Sequence, residues 1–331
     1  MRCTVIGAGA WGTTFAQVLA DAGNEVVVWS QQETTARGIT HQHVNSRYLP
    51  GVSLPESITA TTDLSAALAG AELVVVALPS HVVRSVLEPF AASVPRDAFV
   101  LSLMKGVDLG GDERMSQVLA GIWDVEPARL AVLSGPNLSG EIAARQPTTT
   151  VVASESLETA FAVARAIATP YFRVFTATDM VGVEFGGAVK NVIALAVGIA
   201  QGMGFGDNTN ASIMTRGLSE AARIGVALGA QSETFAGLAG MGDLIATCSS
   251  PLSRNHRLGS LIGQGMTLEQ AVAATGSTAE GAKSCRPILD LANRHGVKAS
   301  IIAAVVAVLY EGLSVNDMVT RLVDRPPRTE D

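Results

Sequence analysis

From Arg2 to about residue 178, short β-branched runs alternate with stretches of helical spacing; the runs fall at 3–6, 25–29, 73–77, 99–103, 130–134, 149–153 and 172–177. That alternation predicts βαβ units and a parallel sheet. Leu73-Val74-Val75-Val76-Ala77 lacks the polar alternation of a half-solvated strand, so helices should cover both faces of a doubly wound sheet. After about Met180 the texture changes to Ala, Gly and Leu at helical spacing, with no strand-like run bounded by turns. Helices are predicted over 181–202, 208–229, 268–275, 282–295 and 299–311, with Gly-rich loops at 202–207 and 237–243. The polar, proline-broken tail 324–331 is expected to fray.

Length agrees with this division, since 331 residues at about 150 per domain make about two domains. The boundaries read as an α/β domain over 1–180 and an all-α domain over 181–331. Lys and Arg number 23 against 30 Asp and Glu, a net charge of −7 that is wrong for a broad nucleic-acid-binding surface. The longest unbroken apolar run, 301–310, is half of the ~20 residues a bilayer-spanning helix needs, so no membrane insertion is expected. The chain passes from Met1-Arg2 straight into a strand with no leader-like segment, which reads as cytoplasmic. Cys3, Cys248 and Cys285 have neither zinc-ligand nor CxxC spacing and read as reduced thiols.

The first strand runs into Gly7-Ala8-Gly9-Ala10-Trp11-Gly12 and then into a helical stretch. Strand before and helix after is the setting a G-x-G-x-x-G needs to cradle a pyrophosphate, with Gly7 for the tight turn, Gly9 for close approach and Gly12 for helix packing. The N-terminal domain is therefore expected to be Rossmann-like, with amides of Gly7, Gly9, Ala10, Trp11 and Gly12 facing a dinucleotide. The second strand ends at Ser30-Gln31-Gln32, where an NAD-specific site would offer an acid to the ribose hydroxyls. Ser30 and Gln31 can hydrogen-bond a 2′-phosphate and Arg37 lies near, which favours NADP(H) or dual use; Glu33 keeps NAD(H) open.

A nicotinamide cofactor moves a hydride, so the chain must supply a group that moves a proton. No Tyr-x-x-x-Lys exists, because Tyr48, Tyr171 and Tyr310 are followed four residues later by Val52, Phe175 and Ser314. Lys190 instead shares a helix face with Gly186, Gly187, Ile193, Ala194 and Val197. Desolvation in such a stripe pulls an ammonium toward neutrality, which suits an acid/base at an alkoxide. Asp243, after a glycine run, could orient Lys190 or hold a substrate hydroxyl. Ser253-Arg254-Asn255 falls in a turn-rich loop where an arginine fork could grip a phosphate, with Arg257 a less specific cation. Lys105 follows one strand at the ligand edge, and Gly135-Pro136-Asn137 follows another. His41 and His43 read as a surface loop rather than a metal site, and His81 as the opening of a helix.

These spaced motifs together resemble the bacterial NAD(P)-dependent sn-glycerol-3-phosphate dehydrogenase family. The resemblance spans Gly7 to Gly12, Ala77-Leu-Pro-Ser-His81, Lys105-Gly106, Ser134-Gly-Pro136, Gly186-Gly-Ala-Val-Lys-Asn191, Thr215-Arg-Gly217, Ala239-Gly-Met-Gly-Asp243 and Ser253-Arg-Asn255. It implies reduction of dihydroxyacetone phosphate to sn-glycerol 3-phosphate, the backbone precursor of phospholipids. It also implies Lys190 as proton acceptor, and Lys105, Gly135, Asn137, Lys190, Asp243, Ser253, Arg254 and Asn255 as substrate contacts. Trp11, Lys105, Ser139, Arg254 and Glu280 would touch the cofactor. The family more usually has Ser or Thr, then Phe-Ala, then a cation in the stretch 135–141, so Asn137 and Ser139 are departures. The expected partner is a small-molecule substrate, with a homodimer as candidate assembly. Two rivals fit the residues less well: a β-hydroxy-acid dehydrogenase, which would want a carboxylate receptor, and a nucleotide-sensing regulator, which would need no lysine in an apolar stripe.

Overall fold

The computed structural model describes residues 1–108, 113–276 and 279–318, and the tail 324–331 lies outside them. The strands are β1 (Arg2–Ile6), β2 (Glu25–Trp29), β3 (Val44–Asn45), β4 (Leu49–Ser53), β5 (Ile58–Thr61), β6 (Leu73–Val76), β7 (Phe99–Ser102), β8 (Leu130–Ser134), β9 (Thr148–Ala153) and β10 (Phe172–Ala177). The helices among them are α1 (Ala10–Asp21), α2 (Glu33–Arg37), α3 (Leu64–Leu68), α4 (Val83–Leu87), α5 (Met115–Trp123), α6 (Ser139–Ala143) and α7 (Leu157–Ile167). The main sheet has the order β10-β9-β8-β7-β6-β1-β2-β5. Read from β5 to β8, this is the Rossmann order, and the strand sequence reverses direction between β1 and β6, where such sheets open a ligand crevice.

Every strand-like run of the sequence is a strand, and β5 and the β3/β4 hairpin are additions. One expectation is corrected: β8 and β9 pair antiparallel, so the sheet is mixed rather than all parallel. The link between them carries only the five-residue α6, about 7.5 Å of helix, too little to return along a six-residue strand of about 20 Å. The chain turns back instead, and β10 pairs parallel to β9.

The unbroken apolar runs follow from burial on both faces. Leu73 and Val75 pack with Phe15 and Leu19 of α1 and Val163 of α7. Their neighbours Val74 and Val76 pack on the other face with Leu64 of α3, Leu87 of α4 and Leu119 of α5. Each such aliphatic side chain contributes about 1.5–3 kcal/mol by leaving water.

From Met180 onward the named elements among the described residues are helical: α8 (Met180–Gly202), α9 (Asp207–Ala227), α10 (Ser232–Ala236), α11 (Asp243–Ser249), α12 (Arg254–Gly263), α13 (Leu268–Thr275), α14 (Glu280–Arg294) and α15 (Ser300–Tyr310). By length and composition α8 could cross a membrane, but its apolar window is wholly buried inside the protein. It is the axis of the helical half, and the Lys190 stripe lies on it.

Helices α10, α11 and α12 were not expected. The stretch 237–243 is a π-type turn over Leu238–Gly242 leading into α11, rather than a loop. Ser253-Arg254-Asn255 is likewise no loop: Ser253 caps α12, its Oγ accepting the His256 amide at 3.3 Å. Polar residues and glycines depress the helical signal of α12, and tertiary packing overrides them. Its glycines are needed for that packing. A Cβ on Gly259 would lie 2.3 Å from the Leu195 carbonyl oxygen, and one on Gly263 2.2 Å from that of Ile199. Reciprocally, Gly198 and Gly202 of α8 would each put a Cβ 2.1 Å from a carbonyl of α12. The two backbones therefore touch, and this close approach presses the start of α12 against the middle of α8.

Candidate functional site

At the switch point, β1 ends in Gly7 with φ +115, a conformation that L side chains avoid. A Cβ there would meet the Ala77 carbonyl oxygen at 2.7 Å, and one on Gly12 would fall 1.9 Å from the Gly7 oxygen. A Cβ on Gly9 would meet nothing within 4 Å, so the turn is tight behind and open in front. Gly9 caps α1 with no side chain, leaving the first amides of the helix, from Ala10 and Trp11 on, to a ligand. Trp11 packs edge-on against Phe15 at 5.5 Å, and its buried Nε1 has no partner. These residues fit a dinucleotide pyrophosphate.

At the β2 exit the expected residues divide. Ser30 is buried, its Oγ donating to the Gln32 carbonyl at 3.1 Å and accepting the Gln32 amide at 3.2 Å. Gln31 is exposed. Arg37 is held at 3.0 Å by Glu33, so neither stands as a free charge facing a ribose.

The second centre lies where the carboxyl ends of β7 and β8 meet α8 and α11. Lys190 Nζ donates to Asp243 Oδ1, and to Thr247 Oγ1 at 2.6 Å. Lys105, after β7, donates to the other Asp243 oxygen at 2.7 Å and to the Gly135 carbonyl at 3.2 Å. Ser134 Oγ adds a long donation to Asp243 at 3.4 Å. Asp243 is 1 % exposed and Lys190 8 %. Burial pulls the Lys190 ammonium from 10.5 down to about 8; Asp243 opposes that pull and Lys105 reinforces it. Burial would raise the Asp243 carboxyl, and the two ammonium groups reverse the effect, holding it below its ordinary value. Two cations against one carboxylate leave a net positive floor, complementary to an anionic substrate.

A belt of amides ties the halves together. Asn191 Nδ2 donates to the Lys105 carbonyl at 3.3 Å, Asn255 Nδ2 to Asn191 Oδ1 at 2.8 Å, and the Gly281 amide to Asn255 Oδ1 at 2.9 Å. Glu280 opens α14, and its Oε2 accepts from Ser80 Oγ at 3.0 Å in the loop after β6. Arg254 is exposed at the start of α12. Gly135 has φ +150, and a Cβ would come within 3.0 Å of Thr150 Cα. Asn137 Nδ2 donates to Thr150 Oγ1 at 3.0 Å, while its buried Oδ1 has no partner. Ser139 begins α6, its carbonyl accepting from Thr14 of α1 at 3.3 Å. His41 and His43 belong to no cluster of three or more His, Cys, Asp or Glu among the described residues. His81 lies in the 3-10 turn Ser80–Val82 that leads into α4, as the sequence suggested.

Sequence reasoning missed Thr247, Asn191 and Ser80. Thr247 lies four residues beyond Asp243, on the same helical face, but that signal is readable only once α11 is known to be a helix.

A Rossmann crevice facing a buried lysine–carboxylate cluster defines a nicotinamide-dependent oxidoreductase. Residues 2–160 match the family profile described as the NAD-dependent glycerol-3-phosphate dehydrogenase N-terminus, and residues 179–320 that of its C-terminus. The chain is 51 % identical over 330 residues to the glycerol-3-phosphate dehydrogenase (NAD(P)+) of Streptomyces griseus, covering 100 % of this chain and 98 % of that one. It is 53 % identical over 329 residues to the Frankia casuarinae protein of the same name, covering 99 % and 98 %. The crystal structure of glycerol-3-phosphate dehydrogenase from Coxiella burnetii superposes with a TM-score of 0.93 at 34 % identity, covering 98 % of this chain and 99 % of that one. The chain belongs to the NAD-dependent glycerol-3-phosphate dehydrogenase family, and its cofactor is NAD(P).

Proposed function

We propose that this chain interconverts dihydroxyacetone phosphate and sn-glycerol 3-phosphate, with Lys190 as the group that moves the proton. The observation that carries this reading is the Lys190–Asp243–Lys105 cluster at the crevice. Bound NAD(P)H supplies the hydride. Lys190, held by Asp243 and Thr247, donates a proton to the ketone oxygen during reduction and takes it back during oxidation. With a pKa of about 8 it is charged at neutral pH yet gives up its proton readily. Lys105 polarises the same oxygen and, through Asp243, keeps Lys190 aimed.

Arg254 supplies the cation for the substrate phosphate, and Ser253 and Asn255 flank it. Asn255 uses one Nδ2 hydrogen on Asn191 and keeps the other for a phosphate oxygen. The unpaired Asn137 Oδ1 is an acceptor suited to a substrate hydroxyl, beside the Gly135 turn. Nucleotide contacts fall to residues 7–12, Ser139 and Glu280. In this reading domain 1–180 holds the nucleotide and domain 181–331 the substrate. The product suits supply of the glycerol backbone of phospholipids, and three buried free cysteines suit a reducing cytoplasm.

The test is the loss of NADPH or NADH absorbance on adding dihydroxyacetone phosphate. A panel of hydroxy acids should give no turnover, and an enzyme that prefers one of them overturns the substrate assignment.

A further inference from the structure

The β2 exit needs a cation to read a 2′-phosphate, and the residue nearest in sequence is engaged elsewhere. Arg37 is paired with Glu33, which also accepts from Thr62 Oγ1 at 3.4 Å. Together these bonds occupy both oxygens of the carboxylate at this exit with protein partners. A second arginine reaches the same place from the β3/β4 hairpin. Arg47 Nη1 donates to Gln32 Oε1 at 2.9 Å, and its guanidinium carbon lies 5.2 Å from the Tyr48 ring centroid. It is exposed, and among the described residues no carboxylate forms an ion pair with it.

The hairpin is fixed to the nucleotide turn itself. Buried Asn45 donates from Nδ2 to the Ala8 carbonyl at 2.9 Å and to Thr13 Oγ1 at 2.7 Å, and its Oδ1 accepts the Tyr48 amide at 3.3 Å. Ala8 lies inside the glycine turn and Thr13 in the first turn of α1. Arg47 is therefore anchored to the loop that fits the pyrophosphate, one side chain away from the strand end where the adenosine ribose belongs. Its planar fork has donors beyond the one given to Gln32, and the Gln32 amide nitrogen is a further donor.

We propose that Arg47, with Gln32, forms the subsite for the 2′-phosphate of NADP(H) and sets the preference of this enzyme between NADP(H) and NAD(H). The proposal rests on the nucleotide-binding reading of the glycine turn and deepens it. NAD(H) leaves the Arg47–Gln32 bond in place and binds without the added ion pair, so both cofactors are accepted and the phosphorylated one is favoured.

The experiment is calorimetric titration of the intact protein with 2′-phospho-ADP-ribose and with ADP-ribose, for wild type, Arg47→Gln and Arg37→Gln. Arg47→Gln should weaken the phosphorylated ligand about 10- to 100-fold and leave ADP-ribose within about twofold, as loss of charge-assisted bonds implies. Arg37→Gln should leave the ratio of the two affinities unchanged. The proposal falls if wild type binds the two ligands equally, if Arg47→Gln keeps the wild-type ratio, or if Arg37→Gln abolishes it. Failure of wild type to bind either ligand removes the nucleotide reading along with it. Normal binding without reduction of dihydroxyacetone phosphate would overturn the proposed function and leave the Arg47 assignment standing.

Discussion

Replacing Lys190 by methionine keeps an unbranched apolar stem and deletes the ammonium. Asp243 keeps Lys105 at 2.7 Å, so no buried carboxylate is left unpaired. A pKa of about 8 means that Lys190 is roughly nine-tenths protonated at pH 7 and one-tenth at pH 9. In the role proposed for Lys190, reduction needs the ammonium, so its kcat should fall about tenfold per pH unit above about 8; oxidation needs the amine, so its kcat should rise with pH up to the same point. Lys190→Met should lower kcat by about 10²–10⁴-fold, erase both pH limbs and leave nucleotide affinity intact. Stability adds a second readout. A folded pKa below the ordinary 10.5 means that the unfolded chain binds more protons between about 8 and 10.5, so wild-type stability rises with pH across that window. Keeping the ammonium buried and charged at pH 7 therefore costs folding free energy. The variant should therefore melt no lower than wild type at pH 7, even though it loses the bonds to Asp243 and Thr247. Stopped-flow and steady-state rates across pH 6–10, with a melting curve at each pH, decide the matter. A variant with near-normal turnover, or one that keeps the limb near pH 8, refutes the assignment.

Asp243→Asn removes the charge that holds Lys190 up, so the alkaline limb of reduction should move down by about 1–3 pH units, seen in the same profiles; an unmoved limb would show that Asp243 does not act on Lys190. Gly259→Ala forces a Cβ to 2.3 Å from the Leu195 oxygen, and should cost about 1–3 kcal/mol of stability and raise KM for the phosphate substrate as α12 shifts. Gly121→Ala, in α5 with nothing within 4 Å, is the control and should gain about 0.5–1 kcal/mol by denaturant melts. Asn137→Ala should cost only about 1 kcal/mol of stability, because Oδ1 has no partner to lose, yet raise KM for dihydroxyacetone phosphate about 10-fold. Equal KM values for wild type and Asn137→Ala would remove Asn137 from the substrate site.

The sheet was legible because strands buried on both faces carry their pattern in themselves: each expected run became a strand, from Arg2–Ile6 to Phe172–Ala177. The reversal of β9 was not, because it depends on the length of a linking helix and not on any strand residue. Lys190 stood out as a charge in an apolar stripe, whereas Thr247 and α12 did not, because glycine spacing reads as loop until a second helix is laid against it. Arg47 was hidden for a similar reason. Its distance from Gln32 along the chain is 15 residues, and it is tertiary contacts, the Asn45 bonds to Ala8 and Thr13 among them, that bring the hairpin over the glycine turn.

The cluster also shows why one lysine alone would not serve. Stripped of water and unpartnered, Lys190 would be pulled further toward the neutral amine and would have less of a proton to give. Asp243 restores the charge, but a lone buried carboxylate would bind the ammonium as a closed pair of no net charge, with nothing to draw an anionic substrate in. Lys105, arriving from the sheet rather than from the helices, shares Asp243 and leaves the site positive by one charge. The three groups come from the loop after β7, from α8 and from α11, so the cluster proposed to move the proton exists only when sheet and helices are docked, and the glycine-to-backbone contact of α8 with α12 sets the residues proposed to bind phosphate beside it. Loosening that contact should therefore raise KM before it changes the pH limb, which separates positioning of the substrate from tuning of the acid.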